Sequence, residues 1–129
     1  MVTPMGIGVD ILDIRRIEKE LRENGPDYLQ AVYTTEEIQQ ASCHRNPAAF
    51  FATRFAAKEA VAKCLELPED EDAEWCQIAI RRTAGGGLCA QLQGHLATVT
   101  KLPKNAVIAV SVSWDGNYAI AVAQLQYNA

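Results

Sequence analysis

The sequence predicts an α+β domain in which three helices are grouped early and a mostly antiparallel sheet is built largely from the later residues. Three observations carry this. Helix punctuation by polar caps and prolines is concentrated before residue 68, alternating or wholly apolar runs follow residue 74, and the chain opens on a short apolar strand. A chain of 129 residues with 49% hydrophobic content suffices for one core and is short for two, so a single domain over 1–129 is expected.

The opening strand is expected over residues 5–10. Side chains alternate, so Met5, Ile7, Val9 and Ile11 share one face while Gly6, Gly8 and Asp10 share the other. Two glycines beside an acid are expected to leave backbone open to a ligand. Asp13 then caps a first helix whose buried stripe is Ile14, Ile17 and Leu21, and Gly25-Pro26 is expected to end it. Thr34 and Glu37 form a capping box for a short helix through about Gln40. Asn46 and Pro47 supply the cap and first residue of a long central helix, which Pro68 is expected to close.

Residues 68–74 are strongly acidic and read as a surface loop. Strands are expected over 75–82 and 88–93, joined by a glycine turn at 84–87 that permits positive φ and reads as a plain hairpin loop. A helix over 94–102 stops before Pro103. Two further strands, over 106–113 and 118–126, are joined through Asp115-Gly116, and the apolar alternation of 106–113 suits a sheet buried on both faces.

The net charge of −4 argues against a general nucleic-acid binder, which would show a basic excess. Cys43, Cys64, Cys76 and Cys89 are widely spaced and form no CxxC, so reduced thiols in a cytosolic protein are expected rather than zinc ligation or a disulfide framework. No apolar run approaches the ~20 residues of a membrane span and no basic stretch precedes an apolar one, so neither a span nor a secretion signal is expected. His44 and His95 read as surface residues.

Chemistry enters through two carboxylates. Phe51, Phe55, Glu59 and Ala62 fall at i, i+4, i+8 and i+11 of the central helix, so Glu59 interrupts an apolar row, just as Asp10 ends an apolar strand. A half-buried carboxylate needs a cation or a metal. Two such acids converging would make an oxygen site for a hard ion, Mg²⁺ with several of its waters retained. Read singly, Asp10 is a strand-end turn residue and Glu59 a partner for Lys63 at i+4.

The segments Gly6-Ile-Gly-Val-Asp10-Ile and Arg54-Phe-Ala-Ala-Lys-Glu59-Ala-Val-Ala-Lys63 resemble the opening strand and central helix of the holo-acyl-carrier-protein synthases, the small class of 4′-phosphopantetheinyl transferases. Tyr33-Thr-Thr-Glu36, Val110-Ser-Val-Ser113 and Tyr118-Ala extend the resemblance from about residue 6 to about residue 123. It implies transfer of the 4′-phosphopantetheine arm of coenzyme A to a serine of apo-acyl carrier protein, dependent on Mg²⁺ held by Asp10 and Glu59, with release of 3′,5′-ADP. It further implies a cytoplasmic homotrimer with sites at subunit interfaces, serving fatty acid or polyketide biosynthesis.

By the same resemblance, Arg54 and Lys63 contact coenzyme A, with Lys58 beside them as a further phosphate-binding cation. Lys63, Glu59 and a metal-bound water are the candidates for the base. Ser113 and Trp114 stand where the family places its nucleotide contacts, but the family usually has histidine at the second position. Trp114 offers a stacking face and one N–H without positive charge, which opens the alternative of a pseudoenzyme that binds carrier protein or coenzyme A without transfer. A different Mg²⁺-dependent phosphoryl enzyme is a third reading. The first helix carries Arg15, Arg16, Lys19 and Arg22, a local basic surface for an acidic carrier helix that Glu18, Glu20 and Glu23 dilute.

Overall fold

The opening alternation runs further in both directions than expected. In the computed structural model, which describes residues 2–67 and 74–128 with side chains from residue 6 onward, β1 spans Val2–Asp13. Asp13 ends it and caps α1 (Ile14–Glu23), its Oδ1 accepting the Arg15 N–H at 2.9 Å. Ile14 and Ile17 are buried as the stripe required.

Gly25-Pro26 does stop α1, but it also begins a helix that the sequence reading lacked, α2 (Gly25–Val32). Proline in a first turn gives up an N–H that has no helical partner there, and its fixed φ suits the helix. Among the described residues, four α-helices therefore precede the second strand. The third is α3 (Thr35–Ala41), with the Thr34–Glu37 capping box in place. The fourth is α4 (Pro47–Cys64), capped by Asn46. It ends before Pro68, where Glu66 takes φ 56. The expected acidic loop lies, apart from Glu74, outside the described residues.

The strand expected over 75–82 begins as a 3₁₀ turn at Trp75–Gln77 and becomes β2 only at Ile78–Arg82. After it come β3 (Leu88–Leu92), α5 (Gly94–Thr100), β4 (Val107–Asp115) and β5 (Tyr118–Asn128). The strands form one wholly antiparallel sheet in the order β1-β5-β4-β3-β2.

Alanines and phenylalanines suit α4 to a central position, since alanine costs little to hold helical and the rings supply buried area. Ala49, Ala52, Ala56, Ala57 and Ala60 are buried, and Phe51 packs on Tyr33 with ring centroids 4.6 Å apart. The helix lies on the sheet face formed by Gly8, Ala123 and Val110, a row that the register places side by side. Opposite, the sheet is bare. Ile7 is 70% exposed and Val9, Ile11, Ile120 and Val122 are also exposed, with Val9 beside Val122 and Ile11 beside Ile120, so the face expected to be covered is open in the single chain.

One polar network ties the helices to the hairpin. Lys58, fully buried, reaches Glu37 Oε1 at 2.8 Å and donates to the Ile78 carbonyl at 2.8 Å and the Trp75 carbonyl at 3.0 Å. The other Glu37 oxygen accepts the Ile80 N–H at 2.8 Å, and Oε1 also takes the Thr34 N–H. Breaking such a pair from one side leaves a buried, uncompensated charge. Lys58→Met should therefore destabilise the fold by about 3–5 kcal/mol in denaturant unfolding, with Lys58→Met/Glu37→Gln recovering part of the loss.

Candidate active site

Alternation along β1 turns Asp10 toward α4, where it is 8% exposed. Glu59 projects from α4 and is half-buried beside it. Burial, and then the neighbouring Asp10 carboxylate, hold Glu59 well above the usual carboxylate range, while Arg16 and Lys63 act in the opposite direction. When both are ionised they only accept hydrogen bonds and repel each other, so a proton held between them or a cation relieves the pair.

Lys63 supplies part of that compensation. Its Nζ crosses from α4 to donate to the Val9 carbonyl at 2.9 Å and to Asp10 Oδ1 at 3.1 Å. It bridges helix to strand, and no ion pair to Glu59 forms at i+4. Asp10 Oδ2 is buried and has no partner among the described residues. An orphaned buried carboxylate oxygen beside a second acid is what a hard cation needs, so Asp10 and Glu59 fit Mg²⁺. Among the described residues no cluster of three or more His, Cys, Asp or Glu forms. Two protein ligands suit an ion that keeps several waters and takes substrate phosphates.

Arg16 joins the site from α1. Its guanidinium carbon stands 5.7 Å from the centre of the Phe55 ring, one turn before Glu59. Phe55 in turn meets Trp75 edge-on with ring centroids 5.3 Å apart. Tyr28 also faces this region, near enough to Glu59 and Arg16 to feel both charges, with its hydroxyl 2.8 Å from that of Tyr33 and pushed up to about 12, chiefly by burial. Tyr33 donates to the Phe51 carbonyl at 2.9 Å, so Tyr28 is the donor to Tyr33. Tyr28 escaped the sequence reading because α2 did. Its signal was Gly25-Pro26, read as the end of α1, which it is, but not as the start of the next helix, which it also is.

Other expected residues stand elsewhere. Lys58 is no contact for coenzyme A, because its three protons are engaged in the buried network. Arg54, five positions before Glu59, points roughly 140° around the helix from it, and is 4% exposed. Ser113 and Trp114 project from opposite faces of β4, and Trp114 remains 42% exposed on the face that carries Asp10. Arg15 is committed to Asp13, with Nη2 2.6 Å from Oδ2, whereas Arg16 and Arg22 are exposed without such a pair among the described residues.

The glycines have a different purpose from the one expected. A Cβ on Gly8 would lie 2.0 Å from the Ala60 carbonyl oxygen, and one on Gly6 would lie 2.4 Å from that of Cys64. They bring α4 against β1 and leave no opening for a ligand. Gly8→Ala should therefore force strand and helix apart and cost about 3 kcal/mol, at the upper end for overpacking, because the clash is with backbone. Thermal unfolding would register it, whereas Gly85→Ala, with open space around it, should unfold within about 1 kcal/mol of the parent.

Comparison with known proteins places these features in context. Residues 6–123 match the family described as the 4′-phosphopantetheinyl transferase superfamily. The holo-[acyl-carrier-protein] synthase of Chlorobium phaeovibrioides is 35% identical, with 95% of each chain covered. That of Sinorhizobium medicae is 33% identical, covering 92% of this chain and 87% of its own. Among solved structures, the Chronobacterium ammoniagenes ACPS–CoA complex aligns with a TM-score of 0.81 at 25% identity, over 100% of this chain and 99% of that one.

Proposed function

The chain belongs to the 4′-phosphopantetheinyl transferase superfamily, and we propose that it is a holo-[acyl-carrier-protein] synthase working through the site between β1 and α4. It moves the 4′-phosphopantetheine group of coenzyme A to a serine of apo-acyl carrier protein. The serine oxygen forms a new bond to phosphorus, the pyrophosphate bridge breaks, and 3′,5′-ADP leaves with the electron pair. The observation that carries the assignment is the buried Asp10 carboxylate, with one oxygen unpartnered, set beside Glu59 within the matched segments.

Asp10 and Glu59 would hold Mg²⁺, which when bound polarises the phosphoryl group and offsets charge on the departing nucleotide. Lys63 fixes Asp10 through Oδ1 and leaves Oδ2 without a partner among the described residues. Lys63 also donates to the Val9 carbonyl, so its amine is held between strand and carboxylate. The serine proton passes to a group bordering the site, for which Glu59 and Lys63 are the side-chain candidates. Arg16, over Phe55 and near Glu59, presents a cation at the mouth of the site, where α1 would meet an acidic carrier helix with Arg22. Trp114 adds an exposed indole for stacking on the adenine end of coenzyme A.

Asp10→Ala and Glu59→Ala should each lower transfer by at least about 100-fold, the scale of losing one electrostatic stabiliser. The fold by circular dichroism should be intact. The readout is the mass gained by an apo-carrier protein incubated with coenzyme A and Mg²⁺, and near-normal turnover of either variant would refute the assignment.

The bare sheet face supports a homotrimer. Ile7, Val9, Ile11, Ile120 and Val122 form a continuous exposed apolar surface that a monomer would keep in water. Light scattering should report roughly three times the 14.1 kDa chain mass, and Ile120→Lys should return it to that of one chain. An active wild-type monomer would contradict the assembly. Among the described residues no helix is long and apolar enough to cross a membrane, and all four cysteines are free, which supports a cytoplasmic setting.

A further inference from the structure

Where α4 and α5 both end, over the last residues of β5, lies a cleft of about 530 Å³. Leu65, Leu67, Val99, Leu102, Leu125 and Tyr127 supply most of its wall. A smaller cavity of about 240 Å³ meets it at Thr100, Leu102 and Pro103 and is lined further on by Ala90 and Ile108 of the sheet. The helix between them is thinly packed: α5 buries none of its residues, and Val99 on the cleft wall is 49% exposed. The register sets this cleft apart from the two acids. Leu125 stands four residues along β5 from Ala121, the partner of Asp10, which is roughly 13 Å of strand.

The cleft also has a polar wall. Lys101 follows the helical Thr100 with φ 48 and ψ 45. A right-handed residue followed by a left-handed one turns successive N–H groups to one side, which makes a concavity for an anion. The N–H groups of Lys101 and Leu102 meet no backbone acceptor among the described residues. Nor has the Lys101 ammonium a carboxylate within ion-pair distance among them. Glu66, the other non-glycine residue with positive φ among those described, borders the same cleft from the end of α4.

We infer that this cleft binds a straight-chain alkyl carboxylate, a fatty acid whose chain lies among the leucines and whose head meets the Lys101 turn. Its volume is that of a small-ligand pocket, and its apolar walls gain by excluding water. A flexible chain can continue past the shared walls into the second cavity, where a rigid ring would fill only one. The head is a carboxylate because one cation beside one acid favours a single negative charge over a phosphate dianion. The inference does not rest on the transferase reading, since it needs neither metal nor carrier protein.

The test is titration of the full chain with decanoate below its micellar concentration, followed by calorimetry and by amide NMR. Saturable binding should shift the Lys101, Leu102 and Leu125 amides and leave those of Asp10 and Glu59 in place. Lys101→Gln, an exposed substitution that should not disturb folding, should weaken binding at least about five-fold, the scale of one charge-assisted contact. Lys104→Gln, equally exposed but outside the cleft wall, should not, and Glu66→Gln should tighten binding by removing a like charge. Butyrate, which has the head without the chain, and decyl maltoside, which has the chain without the charge, should each bind at least about ten-fold more weakly. Absence of saturable decanoate binding, or equal affinity in wild type and Lys101→Gln, overturns the inference. So do shifts centred on Val9, Ile120 and Val122, which would place the chain on the bare sheet face.

Discussion

The close approach of α4 to β1 is the constraint on which the rest of the molecule depends. Glycines at 6 and 8 allow backbone carbonyls of the helix to reach the strand at distances that any side chain would block. The alanines of β5, at 119, 121 and 123, continue the same thin layer across the sheet. Because this seam is set by main-chain atoms, the relation between Asp10 on the strand and Glu59 on the helix is a property of the backbone. Lys63 can then span the gap with two hydrogen bonds, one of them to the strand's own carbonyl.

Along one helix, buried charge is treated in three ways. Lys58 is fully satisfied by Glu37 and two carbonyls, so its burial fixes geometry and leaves nothing for a ligand. Glu59 and Asp10 are two like charges with incomplete compensation, which is a state suited to receiving a cation. Arg54 is the opposite case, a buried cation beside another cation. The satisfied pair contributes stability, whereas the unsatisfied groups are left with charge to be balanced, and the α4 members of all three lie within two turns.

Most elements were legible because their signals are local. The Thr34–Glu37 box and the Asn46-Pro47 start are written in adjacent residues and appear as expected, while the last hairpin turns one residue later than read, at Gly116-Asn117, with Asp115 paired to Tyr118 as the end of β4. Asp10 and Glu59 stood out because each breaks an apolar pattern. What escaped was decided by long-range packing. Gly6 and Gly8 read as an opening for a ligand, since the helix that fills the space is some fifty residues away in the chain. Lys58 and Arg54 look alike at i and i+4, and only the tertiary structure shows that one meets Glu37 and the other Phe50. Pro26 was ambiguous in kind, because proline both stops one helix and starts the next.

The Lys58–Glu37 pair has a further effect at the margin of the sheet. β2 is a terminal strand in the order of pairing, so its outward N–H and C=O groups would ordinarily lie open as a template for another chain. Here the Ile80 N–H is taken by Glu37 and the Ile78 carbonyl by Lys58, at the same 2.8 Å separation. Two side chains thus do at this edge what a sixth strand would do, and they do it with charges that an incoming backbone cannot replace. The ion pair that anchors the helices is also a guard against edge-to-edge aggregation.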